Sequence, residues 1–231
     1  MHDVTAEEFA DLAVRLHAEP NVEETVDLVV QYALKAVDCQ YAGVMLVHKA
    51  KRGSAQVDDV ETAAATDPLV AELDRIQIDC GEGPGLADTG SISVRVTDTQ
   101  FDLRWEKWAR QVAERGIRSV LCARLSTGSS ELGTLNLFHS SPDAFDTDDE
   151  AVAAILARHA AVALASARRA ENLWLAIDAR KLVGQAQGIL MERFDLSPDQ
   201  AFAVLLRYSQ DKNIKLRDVA DLLVSRRSLP D

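Results

Sequence analysis

The sequence predicts an α+β domain over residues 1–165, then an all-α, three-helix domain over 166–231, joined by a long coiled-coil-like helix. Three observations predict this. Helical and strand-like periodicities alternate up to about residue 139, and only the helical one continues after it. No Pro or Gly interrupts the chain between Asp146 and Gly184. The charge also changes sign: residues 1–165 carry 14 Lys+Arg against 28 Asp+Glu, a net of −14, and residues 166–231 carry 11 against 9, a net of +2.

A length of 231 residues suits one large or two modest domains, and 47% hydrophobic residues build an ordinary core. No uninterrupted apolar run approaches the roughly 20 residues of a membrane span, and Met1-His2-Asp3 leads straight into acidic sequence without a signal peptide. The expectation is a cytoplasmic protein with no membrane partner. The three cysteines, Cys39, Cys80 and Cys122, are sparse and odd in number, which fits a reducing compartment. None forms a CxxC unit, so neither a metal site nor a cofactor is expected.

Thr5 is placed to cap a first helix, with Glu8 as its capping-box partner and Phe9, Leu12, Ala13 and Leu16 on one face. Pro20 breaks it. A second helix starts near Asn21, carries Val26, Val29, Val30, Ala33, Leu34 and Val37, and ends near Asp38. The run Tyr41–Val47 reads as a buried strand, His48–Gly53 as a turn, and Val57–Ala65 as a second strand. Asp67-Pro68 opens a helix.

Cys80-Gly81-Glu82-Gly83-Pro84-Gly85 reads as a loop that needs positive φ. It lacks both the GK[ST] ending of a P-loop and GxGxxG spacing. Ser93–Thr97 reads as a strand, and a helix is expected from Asp102–Trp105 to Arg115, stopped by Gly116. Ile117–Leu125 and Gly133–His139 form a hairpin around Thr127-Gly128-Ser129-Ser130. Helices segregated to one face of these strands complete the α+β domain.

The run from Cys80 through Phe138 resembles a GAF domain. The residues that carry this are the Gly83-Pro84 loop, Asp102, Arg104-Trp105, Gly116-Ile117-Arg118-Ser119-Val120 and Gly133-Thr134-Leu135-Asn136-Leu137. The resemblance covers about residues 20–165. It implies a central antiparallel sheet, a signal-sensing role and a pocket for a small molecule whose identity is unknown. Some GAF-like proteins reduce free methionine sulfoxide with cysteines. The alternative function is therefore such a reductase, using Cys80 or Cys122, with a C-terminal dimerisation domain. The cysteine spacing matches no such motif, His139 has no evident partner, and no catalytic residue is assigned.

Asp146-Thr147-Asp148-Asp149-Glu150 starts the long helix, its acids complementing the positive end of the helix dipole. Ala163, Ala170 and Ile177, interleaved with Ser166 and Leu173, form an alternating three/four seam. The first half is expected to pack on its own sheet and the second half to pair in a parallel homodimer. Gly184 and Gly188 lie four apart, and each costs about 1 kcal/mol in a helix interior. They are expected to let another helix approach closely. Ser197-Pro198-Asp199-Gln200 combines an N-cap, an N1 proline and a capping-box Gln. Ala201, Phe202, Leu205 and Leu206 follow on one side. Asp211-Lys212-Asn213 turns the chain into a last helix with Leu216, Val219, Ala220, Leu222 and Leu223.

Residues 175–224 resemble an ANTAR domain, an RNA-binding output module of transcription antiterminators. The resemblance rests on Arg180, Gly184, Ala186, Gly188, Ile189, Leu190 and Met191, then Ala201, Phe202, Leu205, Leu206 and Arg207, then Asn213, Leu216, Val219 and Ala220. The family commonly has a basic residue where this chain has Gln187. The resemblance implies a dimer that holds paired RNA stem-loops in a nascent transcript and so prevents a terminator hairpin. Toward RNA, Arg180, Lys181, Arg207, Lys212, Lys215 and Arg217 are the candidates to neutralise phosphates. Tyr208 is the candidate to stack on a loop base, and Asn213 and Gln187 to read base edges. Phe202 and Met191 are assigned to the core. A DNA-reading helix would want polar base-reading residues, and LRDVADLLVSRR is too acidic and apolar for that role.

Overall fold

The computed structural model describes residues 6–19, 21–48, 59–87, 90–128 and 130–226. Thr5, Pro20, most of the His48–Gly53 turn, Val57 and Ser129 lie outside the described residues, as do the side chains of Glu8 and Phe9. The chain divides into two compact units, Met1–Arg169 and Ala170–Asp231.

In the first unit the elements run α1 (Ala6–Ala18), α2 (Val22–Ala36), β1 (Tyr41–His48), β2 (Asp59–Ala65), α3 (Pro68–Cys80), β3 (Ser93–Val96), α4 (Glu106–Glu114), β4 (Ser119–Thr127) and β5 (Ser130–His139). The long α5 (Thr147–Phe194) begins here and continues into the second unit. The strands make one five-stranded sheet in the order β2-β1-β5-β4-β3, antiparallel throughout. Local chemistry sets the helix starts. The Asn21 side chain accepts from Glu24 N at 2.8 Å, and Asp67 accepts from Leu69 N at 2.8 Å just before Pro68. α3 stops at Gly81, which takes φ +65°.

The helices are not confined to one face, contrary to the sequence expectation. Ala42, Val44, Leu46, Leu121, Ala123, Leu135 and Leu137 pack with α1, α2 and α5 on one side. Val96, Val120 and Phe138 pack with α3 and α4 on the other. The reason lies in the strands: β5 is buried continuously from Leu132 to Phe138, and a sheet buried on both faces needs cover on both.

Two boundaries also moved. The hairpin strands extend until Thr127 pairs with Ser130, so the turn is tighter than the sequence implied. α4 starts at Glu106, not at Asp102. Asp102 Oδ1 instead accepts from Arg104 N at 2.8 Å and its carboxylate holds the Arg104 guanidinium, a local turn that competes with helix. The cap comes from elsewhere in the chain. Glu82 Oε1 accepts from Lys107 N at 2.7 Å and Trp108 N at 3.1 Å, tying the glycine loop to the start of α4.

α5 also corrects the hydropathy reading. By length and composition alone it is long and apolar enough to cross a membrane, with an 18-residue window of mean hydropathy 1.4. Interspersed charges hide this from a search for uninterrupted runs. In the fold, Ala153, Leu156, Ala157, Ala160, Ala161, Ala163 and Leu164 are spent on the core of the first unit. Ala163 is therefore a core residue there and not a member of an exposed seam.

The second unit packs the end of α5 with α6 (Pro198–Lys212) and α7 (Leu216–Arg226). Ser197 and Gln200 form the reciprocal capping box, and Asn213 ends α6 in the left-handed region at φ +52°. The core is Ala186, Leu190, Ala201, Leu205, Val219, Ala220 and Leu223. Within this chain the two glycines meet no partner helix, and one core assignment fails. A Cβ on Gly184 or Gly188 would meet nothing within 4 Å, so no helix of this chain approaches them. They lie two residues from Ala186 and Leu190, about 200° around the helix, and so face away from the core. Phe202, assigned to the core, is 39% exposed, because its neighbour Ala201 takes the inward position; Met191 is half-buried against the core.

Candidate nucleic-acid interface

The candidate RNA residues group by element. Arg180 and Lys181 lie on α5, exposed, one turn before the core residue Ala186. Arg207, Tyr208 and Lys212 lie in the second half of α6, Asn213 at its C-cap, and Lys215 and Arg217 at the start of α7. One contact brings α5 and α7 together: Arg217 donates to Asp178 Oδ2 at 3.2 Å. The start of α7 therefore sits beside α5, two or three residues before Arg180 and Lys181. Sequence reading missed Asp178, and no local signal could reveal it, since it lies 39 residues from its partner.

The charges differ in how far they are committed. Arg207 forms an exposed pair with Asp211 four residues on, at 3.6 Å, worth a few tenths of a kcal/mol, about what such helix pairs contribute. The Lys212 ammonium lies 6.0 Å from the centre of the half-buried Tyr208 ring. Tyr208 packs against the core, so its ring is fixed at the edge of the unit. Arg180, Lys181 and Lys215 form no ion pair among the described residues. The Lys215 carbonyl accepts from Asp218 N and Val219 N at 2.9 and 3.1 Å, which places Lys215 at the positive end of α7. A cation there is locally unfavourable, whereas an anion beside it gains from both dipole and charge.

Gln187 stands apart from that group. Its Nε2 donates to the Pro198 carbonyl at 3.1 Å, at the opposite end of α6 from Lys212 and Asn213. Lys212, Asn213, Lys215 and Arg217 thus share the α6–α7 turn, Asp178 of α5 meets that turn through Arg217, and Gln187 stays with the first turn of α6.

The cysteines of the first unit offer limited chemistry. Burial pushes the Cys122 thiol up to about 12, and burial together with Asp38 does the same for Cys39. Both stay protonated near neutral pH, and the thiol is a poor nucleophile. Cys80, at the end of α3, is half-buried and accepts from Gln111 Nε2 at 3.1 Å. Among the described residues no group of three or more His, Cys, Asp or Glu could hold a metal ion.

Residues 19–165 match the GAF domain and residues 171–224 the ANTAR domain. A comparison with curated proteins returns no match. Among solved structures, the chain is similar to the GAF domain of a phosphoenolpyruvate-protein phosphotransferase from Coxiella burnetii. The two are 20% identical, over 70% of this chain and 92% of that one, with a TM-score of 0.53. The free methionine-R-sulfoxide reductase from Neisseria meningitidis, in complex with its substrate, is 16% identical over 70% of this chain and 89% of that one, with a TM-score of 0.53. The photosensory core module of the Stigmatella aurantiaca phytochrome is 11% identical over 87% of this chain and 43% of that one, with a TM-score of 0.55. At these identities the likeness is one of fold. A GAF domain is a signal-sensing module and an ANTAR domain an RNA-binding module of antitermination regulators. With the sheet and helices of the one matched over most of the chain and the three-helix unit of the other following it, the chain belongs to the GAF domain family and has the GAF–ANTAR architecture.

Proposed function

We propose that this protein is a cytoplasmic, signal-responsive regulator that acts as a homodimer on nascent RNA. The ANTAR units hold paired stem-loops and so keep a terminator hairpin from forming. The GAF unit, with a small-molecule ligand, sets when they do so. The observation that carries the reading is the run of cations at the α6–α7 turn: Lys212, Lys215 and Arg217, with two of them at the positive end of α7 and the exposed Arg180 and Lys181 on the adjoining helix α5. That end of the unit favours phosphate, and the Tyr208 ring next to Lys212 offers a flat surface to an unpaired base.

α5 supports the dimer. Beyond the core of the first unit, Leu173, Trp174 and Ile177 are 63%, 70% and 50% exposed. A second copy of the same helix covers such a stripe through the seam of Ser166, Ala170, Leu173 and Ile177. α5 runs from the first unit into the second, and a change in its pairing is the route by which the signal reaches the RNA face.

The test is a gel shift at fixed salt with an RNA carrying two adjacent stem-loops. Arg207→Glu and Lys215→Glu together should abolish retention while the melting temperature stays within about 2 °C of the parent, since both side chains are exposed. Full retention by the double variant would remove the site.

A further inference from the structure

Beneath the glycine loop of the GAF unit lies a group of buried polar atoms that the RNA chemistry does not use. Asp74, on α3, is fully buried and forms no ion pair among the described residues. Its Oδ2 accepts from the Thr62 hydroxyl at 2.8 Å and its Oδ1 from Asn136 Nδ2 at 3.1 Å. Both partners are neutral. The other atom of that amide, Asn136 Oδ1, is buried and reaches no donor. The Thr134 hydroxyl is buried too, with the Cys122 thiol beside it. The site is thus rich in acceptors and carries one anion with no counter-charge, an arrangement that costs stability unless something donates to it.

One donor is aimed into the site, and it is poorly held. Gln77 Nε2 has the Met45 thioether at 3.7 Å as its partner, a weak acceptor. Gln77 Oε1 accepts from Gly85 N at 2.7 Å and so pins the loop above. The loop is in direct contact with these side chains. A Cβ on Gly83 would come within 2.4 Å of Gln77 Oε1, and one on Gly85 within 3.2 Å of both Met45 Cε and Thr134 Oγ1. The Gln77 carboxamide therefore fills the ground between the loop and the sheet while making little use of it.

The geometry points to a binding site for a small organic or inorganic ammonium cation, seated in place of the Gln77 carboxamide. Its N–H groups donate to Asp74, Asn136 Oδ1 and Thr134 Oγ1. The acceptor set selects the class. An anion meets Asp74, an apolar molecule leaves Asn136 Oδ1 unpaired, and a cation without N–H donors neutralises the charge but satisfies no acceptor. Entry costs the single bond from Gly85 N to Gln77 and exchanges one sulfur contact for several bonds to oxygen. Arg124 is the nearby cation on β4, and it is occupied: it reaches the Ala87 carbonyl and pairs with Glu131 at 3.6 Å. The inference rests on the reading of the GAF unit as the input of the regulator, and it gives that input a chemical class.

The experiment is thermal denaturation of the full chain at pH 7.5 and constant ionic strength. The chloride salts compared are ammonium, methylammonium, putrescine, tetramethylammonium and sodium. At least one of the first three should raise the melting midpoint by roughly 5 °C at saturation, and tetramethylammonium and sodium should not. Asp74→Asn should abolish the shift. Asn136→Leu, which keeps the carboxylate, should weaken it at least tenfold in midpoint concentration and serves if Asp74→Asn does not fold. No shift with any of the three amines, or an equal shift with tetramethylammonium or in the folded variants, overturns the site. A gel shift with and without the active amine separates the two readings. A thermal shift without any change in RNA affinity leaves the site standing and removes the regulatory role.

Discussion

The Gln187 carboxamide donates from Nε2 to the Pro198 carbonyl at 3.1 Å, joining α5 to the first turn of α6. Pro198 has no N–H, and its carbonyl sits where the capping box already organises the backbone. Gln187 thus holds the helix pair together from the outside of the core. Gln187→Ala should cost about 1 kcal/mol, the usual value of one such bond, read as a shift in urea midpoint at unchanged slope. Its RNA affinity should keep the salt dependence of the parent. Gln187→Lys retains a donor and adds a charge. If that face meets phosphate, the dependence of log affinity on log salt should steepen by close to one unit; an unchanged slope would place RNA on the α6–α7 turn alone.

Asp74 gives the GAF unit a pH signature. Burial raises its carboxyl from the ordinary 3.8 to about 6, with the Thr62 and Asn136 hydrogen bonds acting against that rise. The folded chain then holds this proton more tightly than the unfolded chain. The contribution is fully present below about pH 4, is lost as pH rises from there to about 6, and is level above. Its size is about 3 kcal/mol for a shift near two units. Asp98, held low by Arg118, slopes the other way at lower pH. The difference between parent and Asp74→Asn therefore isolates the effect. Denaturant titrations at pH 4.5 and pH 7 should show the parent losing stability relative to the variant as pH rises.

Leu173 and Ile177 are four apart on α5, and both are at least half exposed. Leu173→Asp with Ile177→Asp should convert a dimer to a monomer, read by sedimentation or light scattering, with the fold of each unit kept. RNA affinity should fall at least tenfold, because two adjacent stem-loops then meet one binding unit in place of two. A parent that sediments as a monomer at micromolar concentration would dispose of this pairing.

Cys122 is fully buried, Cys39 and Cys80 are half-buried, and no disulfide joins them. A thiol reagent at pH 8 should label Cys80 in minutes in the folded chain. Cys39 and Cys122, both pushed up to about 12, should react only on unfolding. Cys122→Ser should therefore leave RNA retention intact. Turnover of free methionine sulfoxide that disappears in this variant would revive the reductase reading.

Element order, the helix starts near Asn21, Asp67 and Ser197, the turn at Asp211-Lys212-Asn213 and the two family resemblances were all legible in the sequence. Each rests on a few adjacent residues or on a period along one element, and such signals are local. Periodicity also placed Ala186, Leu190, Ala201 and Leu205 inward. It misjudged Phe202, because which arc of a helix meets its neighbours depends on where those neighbours are.

Tertiary structure decided whatever depends on residues far apart in the chain. Helices cover both faces of the sheet because α3 and α4 pack against Val96, Val120 and Phe138, a choice no single strand encodes. Glu82 caps α4 across 25 residues, Asp178 fixes Arg217 across 39, and Asn136 meets Asp74 across 62. The sequence by itself determined which modules this protein carries and that residues 166–231 hold a net charge of +2 after an acidic first part. Only the fold could set Asp178 of α5 against Arg217 and leave the Asp74 carboxylate without a counter-charge beneath the glycine loop, because hydrogen bonds and desolvation act over a few ångströms whatever the distance along the chain.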